Sequence, residues 1–521
     1  KTNWDELMSS FWWKVKPYYI ISKEGVDMID LAALNVNLTN LGLSSASPEN
    51  LNQERFGQLH HPVGKICLYK LKNKVNLALE QAGCPERVSE DKFRSMYEPW
   101  MLVEPLTNFC SEKTFAPRNR KALEKAIRVV EKKLIKGRKR RISLEESYDR
   151  LLQDKSDHFA GLPTLGKKAD DKDALKRAEQ CWVGKCPPPP IIGHRGKNTE
   201  VVRAVWMFPF EWHIVEASFY YPLYSVLYQT QTIYPVGPVY QKRYLARKYC
   251  ENRTYNTKFS IDYSGFDASL GTQMIGIAFK ILSEGLILSP EERKVWERVQ
   301  TYFTTSPFLA PDGLVYKGRR GGVPSGSMFT QLVDSVCNAV AIEYALACEE
   351  ITSYRYMVYG DDSWTILQSR EEPQELLKKI RKHVGSLGLR MNVEKTAYAA
   401  PSEAICFCGH YDIKRGRPLQ DCIDKLCYPE RPSQAFTTSE GICERLIAYM
   451  ADADNVGILN LLFLSYYHNV PIEDIRFQTN LTSVMSQVAE GTNIRHLPGI
   501  LQVIQEAPRE AATLMKIRSA V

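Results

Sequence analysis

Residues 359–362 read Tyr-Gly-Asp-Asp and lie between two runs of strand-like composition, Tyr354–Tyr359 and Ser363–Leu367. Two adjacent carboxylates in a tight turn repel, and each disfavours ionisation of the other. A divalent cation removes that penalty and gives the pair a chemical use. Gly360 permits the positive φ that such a turn needs. The motif is short, and an acidic surface hairpin would read the same way. Its meaning depends on what accompanies it.

A second pair of carboxylates lies upstream, in Lys258-Phe-Ser-Ile-Asp262-Tyr-Ser-Gly-Phe-Asp267-Ala-Ser-Leu270. The segment opens as a short β-prone run ending on Asp262. Gly265 breaks the run, and Asp267 follows where a helix would start, a position that equally suits a plain N-cap. Two hard cations sharing oxygen ligands need carboxylates from separate strands, because one strand cannot surround both ions. Asp262 and Asp361 can meet if their strands are neighbours in one sheet. Two ions about 3.5–4 Å apart can then activate a hydroxyl and stabilise a leaving phosphate group.

Between these acids runs Gly321-Gly-Val-Pro-Ser325-Gly326-Ser-Met-Phe-Thr330-Gln-Leu-Val-Asp334-Ser-Val-Cys-Asn338. Its glycine-rich start predicts a loop. Phe329, Leu332, Val333, Val336, Val340 and Tyr344 then recur at three- and four-residue steps, which predicts one buried helix face. Thr330, Asp334 and Asn338 are four apart on another, polar face, and need partners if buried. Ser325 precedes the helix, where hydroxyls and backbone N–H groups can meet a sugar or phosphate.

Taken together and in this order, the three segments resemble motifs A, B and C of viral RNA-dependent RNA polymerases. The Gly-Asp-Asp-Ser ending and the chain length resemble the compact enzymes of small double-stranded RNA viruses, picobirnaviruses first and partitiviruses second. The resemblance covers residues 156–414. It implies an α+β right-hand polymerase of fingers, palm and thumb, with an antiparallel palm sheet and an N-terminal bridge closing fingers onto thumb. It implies RNA synthesis on an RNA template by two-metal nucleotidyl transfer that releases pyrophosphate, in viral genome replication and transcription. The implied cofactors are two Mg²⁺ ions, with Mn²⁺ able to substitute. The implied partners are template RNA, nascent RNA, NTPs and a viral capsid protein, in the host cytoplasm and inside the virion.

The same resemblance assigns roles by position. Asp262, Asp361 and Asp362 would be catalytic and bind metal. Asp267, Ser325, Thr330 and Asp334 would bind nucleotide, and Gly326 would meet RNA. One position departs from the pattern. Four residues after the motif B threonine, many relatives carry an asparagine that reads the ribose 2′-hydroxyl, whereas this chain has Asp334. An ionised carboxylate accepts a hydrogen bond but cannot donate one, and Asp267 beside the same ribose would repel it. Either one acid is protonated or the network is wired differently.

Further motifs extend the reading. Asp157-His-Phe-Ala-Gly161-Leu-Pro-Thr-Leu-Gly-Lys167-Lys168 resembles motif G, which lines the template path, with Gly161, Lys167 and Lys168 as RNA contacts. Its glycine–lysine spacing is not a phosphate-binding loop, because Lys168 stands where a magnesium-reaching Ser or Thr belongs. Four prolines at 187–190 predict a stiff connector. Gly193–Trp206 resembles motif F, in which Arg203 is best suited to grip a triphosphate bidentately, with Arg195 and Lys197 beside it. Pro373–Val384 predicts a helix ended by Gly385 and Gly388. Lys395 matches a motif D lysine that can protonate the leaving pyrophosphate. Ile405–Ile413 alternates like a hairpin, and with Lys414 and Arg415 resembles motif E, which supports the RNA 3′ end.

The elements that must hold these residues are read more coarsely. The expected division is an N-terminal helical extension at 1–150, fingers at 151–255, palm motif A at 256–275, an insertion at 276–320, palm at 321–414, and thumb with a C-terminal tail at 415–521. That tail, Gln502–Val521, is a candidate initiation platform by position alone. The formal charge of the 521 residues is a modest +8. The densest basic run, Lys132–Arg141, suits a solvated helix end, a localisation signal or an RNA-facing surface. Thirteen cysteines without paired CxxC spacing predict free thiols in a reducing compartment. No apolar run is long enough to span a membrane, and a soluble intracellular protein is expected, with a few residues trimmed ahead of Lys1. Two competing readings stand beside this one. A reverse transcriptase usually carries a bulky side chain where Asp267 and the Pro324-Ser325-Gly326 loop argue for ribose. A non-enzymatic RNA-binding structural protein leaves Asp262 and Asp361 unexplained.

Overall fold

The computed structural model describes residues 62–90, 102–156, 158–196, 202–228, 239–310, 315–413, 417–428, 438–450, 453, 457–467, 469 and 471. Lys197, Lys414, Arg415 and the C-terminal tail lie outside these residues. The chain divides into two compact units, whose described parts are 102–408 in the first and 62–90 with 409–471 in the second. The stretch expected as one N-terminal lobe is therefore shared. Residues 62–90 belong with the C-terminal part, while 102–150 belong with the residues around the aspartates.

In the first unit the elements that matter are helix α1 (Arg120–Leu134), strands β1 (Ile191–Gly196) and β2 (Val202–Met207), helix α2 (Phe210–Tyr228), strand β3 (Thr257–Ser260), the short helix α3 (Phe266–Ser269), strands β4 (Phe308–Leu309) and β5 (Val315–Tyr316), helix α4 (Thr330–Cys348), strands β6 (Tyr354–Tyr359) and β7 (Asp362–Leu367), helix α5 (Pro373–Ser386) and strand β8 (Ala397–Ala399). An antiparallel sheet runs in the order β8-β3-β7-β6. A second sheet runs β2-β1-β4-β5, with β1 parallel to β4 and antiparallel to β2.

Helix α4 forms the centre of the core. Every residue from Leu332 to Leu346 is buried, so no side of that stretch faces water. The predicted apolar face is present, but the polar residues beside it are turned inward as well. Tyr356 and Val358 of β6 join this core, while Met357 packs with Trp364 and Ile366 on the opposite face of the sheet, against Ala246 and Phe407. That alternation is the two-residue period of a strand covered on both faces.

The second unit packs Leu71, Val75, Ala78 and Leu79 of helix Pro62–Gln81 against Leu419, Ile423 and Leu426 of helix Leu419–Cys427. The buried Asp424 accepts from both the backbone N–H and the hydroxyl of Ser89, each at 2.9 Å. The twelve cysteines whose side chains are described are free thiols, and no helix among the described residues is long and apolar enough to cross a membrane.

Candidate active site

The strand register brings the two remote acidic stretches together. Strand β3 pairs antiparallel with β7, Lys258 opposite Ile366 and Phe259 opposite Thr365. Carried forward three residues, that register sets Asp262 level with Asp362. The Ser363 hydroxyl lies 3.5 Å from the Ile261 carbonyl, as the register requires. Strands β6 and β7 close on the pair Tyr359–Asp362, leaving Gly360 and Asp361 as a two-residue turn, with Gly360 at φ +61°. Asp262, Asp361 and Asp362 thus gather at one end of one sheet.

Helix α4 fixes that turn from the core side. Gly360 N–H donates to the Ser335 hydroxyl at 2.8 Å. The Asn338 amide donates to the carbonyls of Gly360 (2.9 Å) and Asp361 (3.0 Å). Asn338 is in turn approached by the Tyr263 hydroxyl at 3.4 Å. The Gly360 N–H and the carbonyls of Gly360 and Asp361 therefore find their partners on the helix. On the other flank, Asp262 N–H donates to the Thr396 hydroxyl at 3.2 Å and its carbonyl accepts from Asn392 N–H at 2.8 Å. Lys395, in the turn between those two residues, is exposed.

The electrostatics show how crowded the acids are. Asp267 is pushed up to about 7, first by burial and then by the charge of Asp361, while Arg203 works in the opposite direction. Asp334 is raised well above the carboxylate range by burial and by both Asp267 and Asp361. Its Oδ1 is buried without a hydrogen-bond partner. A like-charge cluster with an unsatisfied buried oxygen is a site that a cation or a hydroxyl-bearing ligand would stabilise. Among the described residues no three acidic, histidine or cysteine side chains already stand at ligand spacing around one point. Opposite the acids, Arg203 of β2 pairs across the ladder with Arg195 of β1, and both are exposed. Like charges directly opposed in a ladder cost stability unless an anion shares them.

Residues 132–422 match the sequence pattern of the viral RNA-dependent RNA polymerase family, more than half of the chain. The chain belongs to that family. It is 34% identical over 152 residues to the RNA-directed RNA polymerase of Cryptosporidium parvum virus 1, covering 28% of each protein. It is 25% identical over 200 residues to that of Atkinsonella hypoxylon virus, covering 36% of this chain and 29% of the relative. The chain thus spans less than a third of either curated relative. The fold is similar to the crystal structure of the RNA-dependent RNA polymerase of a human picobirnavirus, with a TM-score of 0.61 at 17% identity, over 83% of this chain and 86% of the other. An insertion-loop deletion mutant of that polymerase gives 0.62 over 94% and 97%. The right-hand polymerase fold follows, with the β8-β3-β7-β6 sheet as its palm.

The loop that precedes α4 is built against β2 and α3. A Cβ on Gly326 would lie 1.5 Å from the Trp206 carbonyl oxygen, so only glycine lets the loop cross β2 at that height. Ser325 is an exposed residue whose hydroxyl sits 3.4 Å from both Trp206 N and the Ala204 carbonyl. Gly322 N–H donates to Leu270 and Val323 N–H to the Asp267 carbonyl, at 2.7 and 2.8 Å, tying the loop to α3. The buried Arg319 donates to the carbonyls of Gly321 and Gly322 at 3.0 and 2.8 Å and holds the loop's start. From α2, buried Glu216 accepts from the Ser327 hydroxyl (2.8 Å) and Met328 N–H (2.9 Å), and His213 Nε2 lies 2.8 Å from the Gly326 carbonyl. Sequence reading missed Ser335, Glu216, His213 and Arg319. Only the polar spacing of Asn338 pointed toward this network.

Several expected contacts are placed differently. Lys168 is buried rather than facing template phosphates, with its ammonium 5.2 Å from the Phe210 ring centre. Burial drives its pKa down to about 7, with Glu216 the acid that opposes the drop. Lys167 beside it is exposed. Gly161 is buried, and a Cβ there would meet the Phe208 carbonyl at 2.6 Å, so it serves close packing. The Thr330 hydroxyl is 2.6 Å from the Pro324 carbonyl and 3.0 Å from that of Ser327, which braces the loop. Asp267 is not an N-cap. Gly265, at φ +60°, holds that position and Asp267 lies in the first turn.

Proposed function

We propose that this chain copies an RNA template into RNA by nucleotidyl transfer. The RNA 3′-hydroxyl attacks the α-phosphate of an incoming NTP, and pyrophosphate leaves. The observation that carries the reading is the gathering of Asp262, Asp361 and Asp362 at one end of the palm sheet, on a turn whose backbone is held by Ser335 and Asn338. Positioning and charge stabilisation, rather than covalent chemistry, are what such a site supplies.

Divalent cations, Mg²⁺ with Mn²⁺ as a substitute, would be held by Asp262, Asp361 and Asp362, and when bound would offset the repulsion among them and polarise the phosphate. The other roles fall to the chain itself. Arg203 and Arg195 would grip the triphosphate, and Lys395 would give a proton to the departing pyrophosphate. Asp267, with Asp334 behind it, would meet the ribose. Ser325 would meet the incoming nucleotide, Gly326 the RNA, and Lys167 the template phosphates. The packing of residues 62–90 with the C-terminal unit supports the expected N-terminal reach toward the thumb.

The test is nucleotide incorporation on an RNA template with Mg²⁺ or Mn²⁺, comparing the natural chain with Asp361→Ala. The variant should lose elongation while RNA binding largely survives. Near-normal incorporation by Asp361→Ala would remove the assignment.

A further inference from the structure

The most concentrated charge on the chain lies away from the aspartates. Residues 118–141 hold twelve lysines and arginines against two glutamates, a net +10, whereas the whole chain carries +8. The rest of the molecule is therefore net −2, and this one segment sets the sign of the protein.

Folding sorts the segment into two sides. Asn119 caps α1, its side-chain oxygen accepting from Ala122 N–H at 3.0 Å. Ala122, Leu123, Ala126, Val130 and Leu134 are buried against the core. Lys121, Lys125, Arg128 and Lys132 are exposed and recur at four, three and four residues, so they form one stripe opposite the buried face. At about 1.5 Å per residue the stripe is about 16 Å long. Neighbouring cations are paired: Lys133 with Glu343 at 2.6 Å, Arg138 with Glu284 at 2.8 Å and Arg141 with Glu292 at 2.9 Å. The four stripe residues have no ion-pair partner among the described residues. Glu124 and Glu131 stand to one side of the stripe rather than within it.

The stripe is also separate from the reacting centre. Helix α1 meets α4 through Glu343 and Tyr344, the latter's hydroxyl accepting from Asn119 N–H at 3.3 Å. Those two residues lie on the side of α4 turned away from Ser335 and Asn338, which face the aspartate turn. Two helices, each about 10 Å across, therefore intervene between the stripe and the carboxylates.

We propose that this outward face of α1 is a second RNA-binding site, which holds a single strand outside the catalytic cleft. It rests on RNA being the substrate. Evenly spaced cations on a rigid support suit the repeating charge of a phosphate backbone, and need no base recognition.

The experiment measures RNA affinity against salt, without nucleotides, using a labelled single-stranded RNA long enough to extend past the cleft. The variant combines Lys121→Gln, Lys125→Gln, Arg128→Gln and Lys132→Gln. Each lost phosphate contact lowers the slope of log K against log salt by about 0.7, so the slope should fall by about 3. The charge-preserving set Lys121→Arg, Lys125→Arg, Arg128→Lys and Lys132→Arg should keep the natural slope. Incorporation on a template confined to the cleft should be unchanged in both. An unchanged slope in the glutamine variant overturns the proposal. So does loss of binding to polyglutamate with RNA binding intact, which would mark an acidic protein as the partner. Equal loss on the confined template also overturns it, because the stripe would then not be separate. If the glutamine variant shows the slope change but the natural chain shows no incorporation, the polymerase reading falls and the stripe stands.

Discussion

The Asn338 side-chain amide donates to the Gly360 carbonyl at 2.9 Å, joining the middle of α4 to the turn that carries Asp361. The same amide reaches the Asp361 carbonyl, so one residue sets the height of the turn. Asn338→Leu keeps the volume, strands the buried Gly360 carbonyl and removes the donor to the Asp361 carbonyl. Each unsatisfied group costs about 1–3 kcal/mol. The variant should melt at lower temperature and, at a temperature where it remains folded, incorporate nucleotide about tenfold or more slowly in single turnover. A folded variant with the natural rate would show that the turn holds itself.

Gly326 and Gly385 offer a contrast in what glycine is for. A Cβ on Gly326 would overlap the Trp206 carbonyl, whereas one on Gly385, in the last turn of α5, meets nothing within 4 Å. Gly326→Ala must push the loop off β2 and carry Ser325 and Ser327 with it. It should raise the KM for NTP and lower the denaturation midpoint. Gly385→Ala should instead stabilise by about 0.5–1 kcal/mol, as in other helices. Urea midpoints and steady-state kinetics on the two variants check both.

What the sequence made readable was local. The two strands around Gly-Asp-Asp, the glycine break before Asp267 and the apolar face of α4 depend on neighbours a few residues away, and all are present. What it hid depends on distant partners. Glu216 reads as one acid in an apolar helix, and its role appears only when Ser327 and Met328, more than a hundred residues on, arrive beneath it. Lys168 reads as a surface cation because its burial comes from Phe210 and the α2 side of the core. The grouping of residues 62–90 with the C-terminal part joins Leu71 and Val75 to Leu419 and Ile423, and Ser89 to Asp424, pairings that no local pattern announces.

Lys167 and Lys168 should therefore separate in an RNA-binding titration. Lys167 is exposed, and Lys167→Gln should lower the salt slope by about 0.7 if it meets one phosphate. Lys168→Met removes a buried amine beside Phe210 and should leave the slope alone. A matching slope loss in Lys168→Met would mean that its amine reaches RNA after all.

Glu216 gives the molecule a pH dependence with a definite sign. Burial raises its carboxyl to about 7 from the ordinary value of 4.5. Between those values the folded chain holds a proton that the unfolded chain releases, so this group's share of stability is present at low pH and is lost as pH rises through that window. Lys168, lowered to about 7, acts only above it, where the folded chain lacks a proton that the unfolded chain keeps and stability grows with pH. Glu211 and Asp267 are also raised to about 7, so the slope of the natural chain belongs to several groups. The difference between the natural chain and Glu216→Gln isolates one of them. Urea midpoints measured at intervals across that window should fall less steeply with rising pH in the glutamine variant. Parallel profiles would mean that Glu216 keeps its charge when folded, held by Ser327, Met328 and Lys168 against the cost of burial.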